Sequence, residues 1–99
     1  MDTLSKAGQM LDRNGLTNAG RGLQKHGSRP GSVFPKTNGK ASTINEQGQF
    51  ILDEILTDPN STMKFSHKTK FGNVLDIKAL NGRGVRYNQK NEFVMFLEP

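Results

Sequence analysis

Asn60 divides the sequence into two stretches with different apolar periods, which leaves a chain of 99 residues few ways to fold. Before it, apolar residues recur every three or four positions; after it, they alternate. Leu4, Ala7 and Leu11 follow an i, i+3, i+7 spacing and predict a short first helix, ended by Asn14-Gly15, a pair suited to positive φ. Leu16, Ala19 and Leu23 predict a second, with Thr17 as N-cap and Gly27 as C′ residue, so that Lys25 and His26 fall in its last turn. Gly20 and Gly22 should weaken it, at about 1 kcal/mol each relative to alanine. Residues 27–41 hold Pro30 and Pro35 and read as a loop anchored by Val33-Phe34. The third helix is the clearest: Thr43-x-x-Glu46 has the form of a capping box, and Ile44, Gly48, Ile51, Leu52, Ile55 and Leu56 make one stripe. Asp58-Pro59 stops it, and Glu46, Asp53 and Glu54 lie on a polar face expected to point to water, with the stripe on a sheet.

Met63, Phe65 and His67 alternate with Thr62, Lys64 and Ser66, and three further short runs follow, at Val74–Leu80, Val85–Tyr87 and Phe93–Leu97. The turns between them are too short for crossover helices, so consecutive antiparallel pairing is expected. The fold class is therefore α+β: two or three N-terminal helices packed on a four-stranded antiparallel meander.

Charge is arranged in blocks. Residues 1–40 carry seven Lys/Arg against two Asp, residues 41–60 four acids and no base, and residues 61–91 seven bases against Asp76. If the two basic blocks meet, they form a positive face that favours a polyanion. The absence of cysteine excludes disulfides, thiolate metal sites and thiol nucleophiles. No apolar run approaches the ~18 residues of a membrane span. No phosphate loop or dinucleotide fingerprint occurs, the two histidines and scattered carboxylates match no metal-ligand spacing, and no cofactor is expected.

Both histidines lie among bases, in Lys25-His26-Gly27-Ser28-Arg29 and Lys64-Phe65-Ser66-His67-Lys68. Metal-free cleavage of RNA needs a base for the ribose 2′-hydroxyl, an acid for the leaving 5′-oxygen and cations for the phosphorane, and these segments contain such groups. His26 is the first candidate for proton transfer and His67 the second, although His67 shares the parity of Met63 and Phe65 and reads equally as a core residue. Arg86, opposite in parity to Val85 and Tyr87, could reach a phosphate with Lys25, and Arg83 sits on the Gly82–Gly84 hinge. Tyr87 could stack on a base or belong to the core. The candidate RNA-binding set is Arg29, Lys64, Lys68, Arg83 and Tyr87. Two rival readings remain: a basic module that binds nucleic acid without cutting it, and a protein-binding adaptor using the acidic helix at 43–57.

The stretch from Ala19 onward, with Lys25-His26-Gly27 to Arg29-Pro30, Asn45 to Gln49, Gly82-Arg83-Gly84 with Arg86, and Phe96-Leu97-Glu98-Pro99, resembles the C-terminal nuclease module of bacterial polymorphic and contact-dependent growth inhibition toxins. Several such modules are similar to the barnase–EndoU–colicin–RelE group. The resemblance implies helices before an antiparallel sheet, and a metal-independent ribonuclease that leaves a 2′,3′-cyclic phosphate. By similarity to the anticodon-cutting colicins the substrate is tRNA. It further implies a cognate immunity protein, and delivery as part of a larger exported or surface toxin acting in the target bacterium's cytoplasm. Residues 19–99 would then be the nuclease domain and residues 1–18 the junction with the delivery protein, with Met1 an added start.

Overall fold

A computed structural model of the chain describes residues 2–99. The helices are α1 (Asp2–Gln9), α2 (Asn18–Gly27) and α3 (Ala41–Thr57); a short hairpin, β1 (Leu11–Arg13) and β2 (Leu16–Thr17), lies between the first two. The strands β3 (Thr62–Lys68), β4 (Gly72–Lys78), β5 (Gly84–Asn88) and β6 (Phe93–Leu97) pair antiparallel in sequence order, giving the expected α+β meander. None of the described helices is long and apolar enough to cross a membrane.

Several expectations are corrected. The first helix ends at Gln9, and Asn14-Gly15 (φ 57° and 76°) makes the turn of the β1–β2 hairpin, since two positive φ values serve a type I′ turn as well as a helix end. Leu11 is accordingly exposed. The capping box at Thr43 does not form: α3 starts two residues earlier, with Lys40 as N-cap and no side-chain cap. Gly27 is the last residue of α2 and has no left-handed φ; it is small because a Cβ there would collide with the carbonyl oxygen of Pro35. Thr17 does cap α2, its hydroxyl accepting from Gly20 N–H at 3.0 Å.

The core joins all three layers of the chain. Leu23 of α2, Ile51, Leu52 and Ile55 of α3, and Ile77, Val85, Tyr87 and Phe96 of the sheet are buried together, with Phe34 from the 28–40 loop. α1 is tied in by polar contacts: Ser5 Oγ donates to Asp53 at 2.6 Å, and the buried Tyr87 hydroxyl donates to the Leu4 carbonyl at 2.8 Å. Asp53, expected to face water, is thus half-buried under α1.

Glycine lets α3 approach α2 closely. A Cβ on Gly48 would stand 2.5 Å from the Ala19 carbonyl oxygen and 2.8 Å from Gly20 N, both backbone atoms that cannot rotate away. Gly48→Ala should therefore cost about 3 kcal/mol by overpacking, although alanine is the better helix former. Thermal unfolding tests this, since a loss of that size lowers Tm by roughly 15 °C in a domain this small. An unchanged Tm would contradict the close crossing.

The helices cover only part of the sheet. On β4 and β5, residues Leu75, Ile77, Val85 and Tyr87 face them. Met63, Phe65 and His67 of β3 share that parity through their pairing with Ile77, Leu75 and Asn73, but the helices stop short of this edge. Met63 is 52% and Phe65 78% exposed, so the expected core face of β3 is open.

Candidate functional site

α2 lies along β6, and the cleft between them gathers most of the chemistry. Gly22 permits the approach, since a Cβ there would come 2.9 Å from the Phe96 ring. Arg21, Lys25, His26 and Arg29 line one wall, Phe93 to Phe96 the other, and Asp12 with Asn18 one end, enclosing about 190 Å³. Arg21 and Lys25 are one helical turn apart, as are Lys25 and Arg29, so a single helix and its C-terminal extension supply three cations to one opening. Arg21 is held by Asp12 at 3.1 Å, while Lys25 and Arg29 are exposed and make no ion pair among the described residues.

His26 is 5% exposed, with its ring packed against Phe34 at 5.2 Å and edge-on to Phe96 at 6.5 Å between centroids. Its Nδ1 is 2.8 Å from Glu98 Oε2. The same carboxylate oxygen accepts from Ser32 Oγ at 2.6 Å, and Oε1 accepts from Val33 N–H at 3.2 Å. Burial raises the Glu98 pKa, but the bonds from Ser32, His26 and Val33 outweigh it and hold the carboxyl below its ordinary value. An ionised carboxylate only accepts, so the proton of the neutral tautomer sits on Nδ1, and Nε2 is the nitrogen able to take one. Arg29 Nη1 lies 3.4 Å from Nδ1; with that nitrogen already donating to Glu98, the guanidinium contributes charge there and no hydrogen bond.

The loop 28–40 is fastened over this pair. Besides Ser32 and Val33 on Glu98, Phe34 N–H donates to Ser32 Oγ, and Arg83 Nε donates to the Val33 carbonyl at 2.8 Å while its guanidinium covers the Phe34 ring. Lys78 Nζ donates to the Glu98 carbonyl. Arg83 is thereby joined to the His26 neighbourhood as a brace for the loop.

Other candidates lie elsewhere. Arg86 stands on the outer sheet face beside Met95, where Nε and Nη2 donate to both oxygens of Asp76 at 2.7 and 2.9 Å. The Arg86 hydrogen bond holds Asp76 below the usual carboxylate range, and the same bond raises Arg86. Lys64 and Lys68 share that outer face on β3. His67 is exposed at the far edge of the sheet, bonded through Nδ1 to Asn73 Oδ1 at 3.1 Å. Tyr87 is fully buried, and burial pushes its phenol pKa up. Among the described residues, no three metal-ligating side chains gather.

Two participants escape sequence reasoning. Arg21 has a local signal, the i, i+4 spacing to Lys25. Glu98 is 72 residues from His26 and has no local signal; it stands in the Phe96–Pro99 ending that carries the resemblance, without a role attached to it.

The sequence model of the CdiA C-terminal tRNase toxin domain matches residues 4–98. The chain belongs to that family. It is accordingly an endoribonuclease toxin domain acting on tRNA, and the non-catalytic binding module and the adaptor are set aside. Among solved structures, the toxic C-terminal tip of CdiA from Pseudomonas aeruginosa, crystallised in complex with an immune protein, is similar, with a TM-score of 0.78 and 29% identity. The alignment covers 92% of this chain and 98% of that one. No curated protein matches the chain. The matched range of the tRNase family begins within α1, which packs on α3 and Tyr87 as described above.

Proposed function

We propose that the domain cuts tRNA in the cleft between α2 and β6, with His26 as general base. Nε2 takes the proton of a ribose 2′-hydroxyl, the 2′-oxygen attacks the adjacent phosphorus, and the P–O5′ bond breaks. The products are a 2′,3′-cyclic phosphate and a 5′-hydroxyl, the leaving oxygen being protonated by solvent at the cleft mouth. Glu98 accepts Nδ1–H, orients the ring and stabilises the imidazolium that forms. Lys25, Arg29 and Arg21 surround the phosphate and oppose the charge of the phosphorane. An open cleft admits an unpaired loop more readily than an A-form groove, and the anticodon loop is the region we assign.

The observation that carries this reading is the 2.8 Å contact between His26 Nδ1 and Glu98 inside a cleft edged by three cations. Arg86, satisfied by Asp76, and the distant His67 take no part in the chemical step. An immunity protein presenting acids to Lys25 and Arg29 would close the cleft, and the immune protein bound to the Pseudomonas aeruginosa relative supports such a partner. The site of action is the cytoplasm of the recipient bacterium, after delivery by a larger CdiA protein.

Cleavage of tRNA in excess EDTA, followed by analysis of the new ends, tests the reaction. Expected are 3′ fragments that polynucleotide kinase labels without prior phosphatase, and 5′ fragments ending in a cyclic phosphate. New 5′-phosphates, or activity that disappears with EDTA, would contradict it.

A further inference from the structure

The β3–β4 hairpin presents a surface that the cleft does not explain. Phe65 is 78% exposed on an edge strand. Beside it lies a hollow of about 210 Å³ lined by Asn73, Gln89 and Asn91 as well as apolar groups from β4. Asn73 spends its carbonyl on His67, leaving its Nδ2 without a bond among the described residues; the side chains of Gln89 and Asn91 make none. Lys64 and Lys68 project from the opposite face of the same strand, and residues 61–75 contain no acid. Asp76, the nearest carboxylate in sequence, is neutralised by Arg86.

An exposed ring beside unspent amides, with ammonium groups on the other face of the same edge strand, matches unpaired RNA that passes around that edge: a base to stack, a base edge to hydrogen-bond, and phosphates for the lysines. We infer that this hairpin is a second RNA contact, in which Phe65 stacks an unpaired nucleobase, the amides of Asn73, Gln89 and Asn91 meet its edge, and Lys64 and Lys68 hold the adjoining phosphates. The inference rests on the tRNase reading and extends it from the scissile phosphate to substrate selection. β3 and β6 are opposite edges of the sheet, three strand spacings or about 14 Å apart, so this contact engages nucleotides other than those cut. A protein partner would more naturally meet the bare apolar side chain alone; two lysines whose facing acid, Asp76, is already paired with Arg86, next to amides, favour the polyanion.

The test uses bulk bacterial tRNA and the full chain, with binding measured in a His26→Ala background and turnover in the wild-type background. Phe65→Ala should weaken binding about tenfold, the scale of one lost stacked base, and Phe65→Trp should restore it. Lys64→Ala with Lys68→Ala should lower the slope of log affinity against log salt by about 2. In turnover, the loss should fall on KM. All three side chains are exposed, so unfolding is not expected, and an unchanged Tm checks this. Affinity, KM and salt slope all unaltered in these variants would overturn the inference and assign the surface to a protein partner. Continued cleavage by His26→Ala would defeat the assignment of the cleft instead, and the binding measurement on the hairpin would still stand.

Discussion

Replacing His26 by alanine should slow tRNA cleavage by about 10²–10⁴-fold, the contribution of a well-placed proton-transfer group. The ring is also packed between Phe34 and Phe96, so alanine leaves a cavity and some lost activity could follow from lost stability. His26→Gln separates the two effects. It keeps most of the volume and can accept or donate a hydrogen bond, but it cannot take a proton at neutral pH. Both variants should show the same loss of kcat, with tRNA binding retained through Lys25, Arg29 and the hairpin. A glutamine variant with wild-type kcat would eliminate His26 as the base.

Glu98→Gln should lower kcat by about 10³-fold, although it changes one atom, because a carboxylate-to-amide change beside a histidine disrupts the tautomer that the base requires. Four interactions explain the size of the effect. The carboxylate accepts from His26, Ser32 and Val33 through its two oxygens, and Ser32 in turn fixes Phe34. An amide offers one oxygen and one NH2, so in either orientation a donor faces a donor. The loop 28–40 loosens and His26 loses its orientation together. A pH signature accompanies this. The folded-state pKa of Glu98 is depressed, so its stabilising contribution is complete above the ordinary glutamate value of 4.5 and is lost as pH falls through the lowered value. Wild-type stability should therefore decline below about pH 4.5 more steeply than that of Glu98→Gln, as read by thermal unfolding across pH. Parallel curves would show that Glu98 is not held ionised by these partners.

The elements legible in the sequence are those whose cause is local. Thr17 caps α2 because a hydroxyl three residues before Gly20 needs nothing distant, whereas the bulge that brings both Phe93 and Phe96 to the core face of β6 leaves no mark in the sequence. Asn14-Gly15 is legible as a reversal but not as which reversal, because helix end and type I′ turn demand the same φ. Gly20 and Gly22 read as helix weaknesses, and Gly48 only as a member of a stripe, because their benefit is tertiary: each occupies a place where the Asn45 side chain, the Phe96 ring or the α2 backbone comes too near for a Cβ. At the site, Lys25, His26 and Arg29 are found from sequence because one helix end holds them, whereas Glu98 arrives from the far end of the chain. Parity on β5 puts Arg86 opposite Val85 and Tyr87, but not that the helices occupy the other face or that Asp76 stands across from it. Parity on β3 likewise puts His67 with Phe65; only the extent of the helices shows that edge to be bare.

The chain has two histidines, so their imidazole signals can be followed separately in a 15N-labelled sample. Adding tRNA made uncleavable by 2′-deoxy substitution should shift the His26 ring-nitrogen resonances as the diester docks beside the ring, whatever happens at His67. Tight binding of that RNA with the His26 signals unmoved would show that the diester is cut somewhere other than the cleft between α2 and β6.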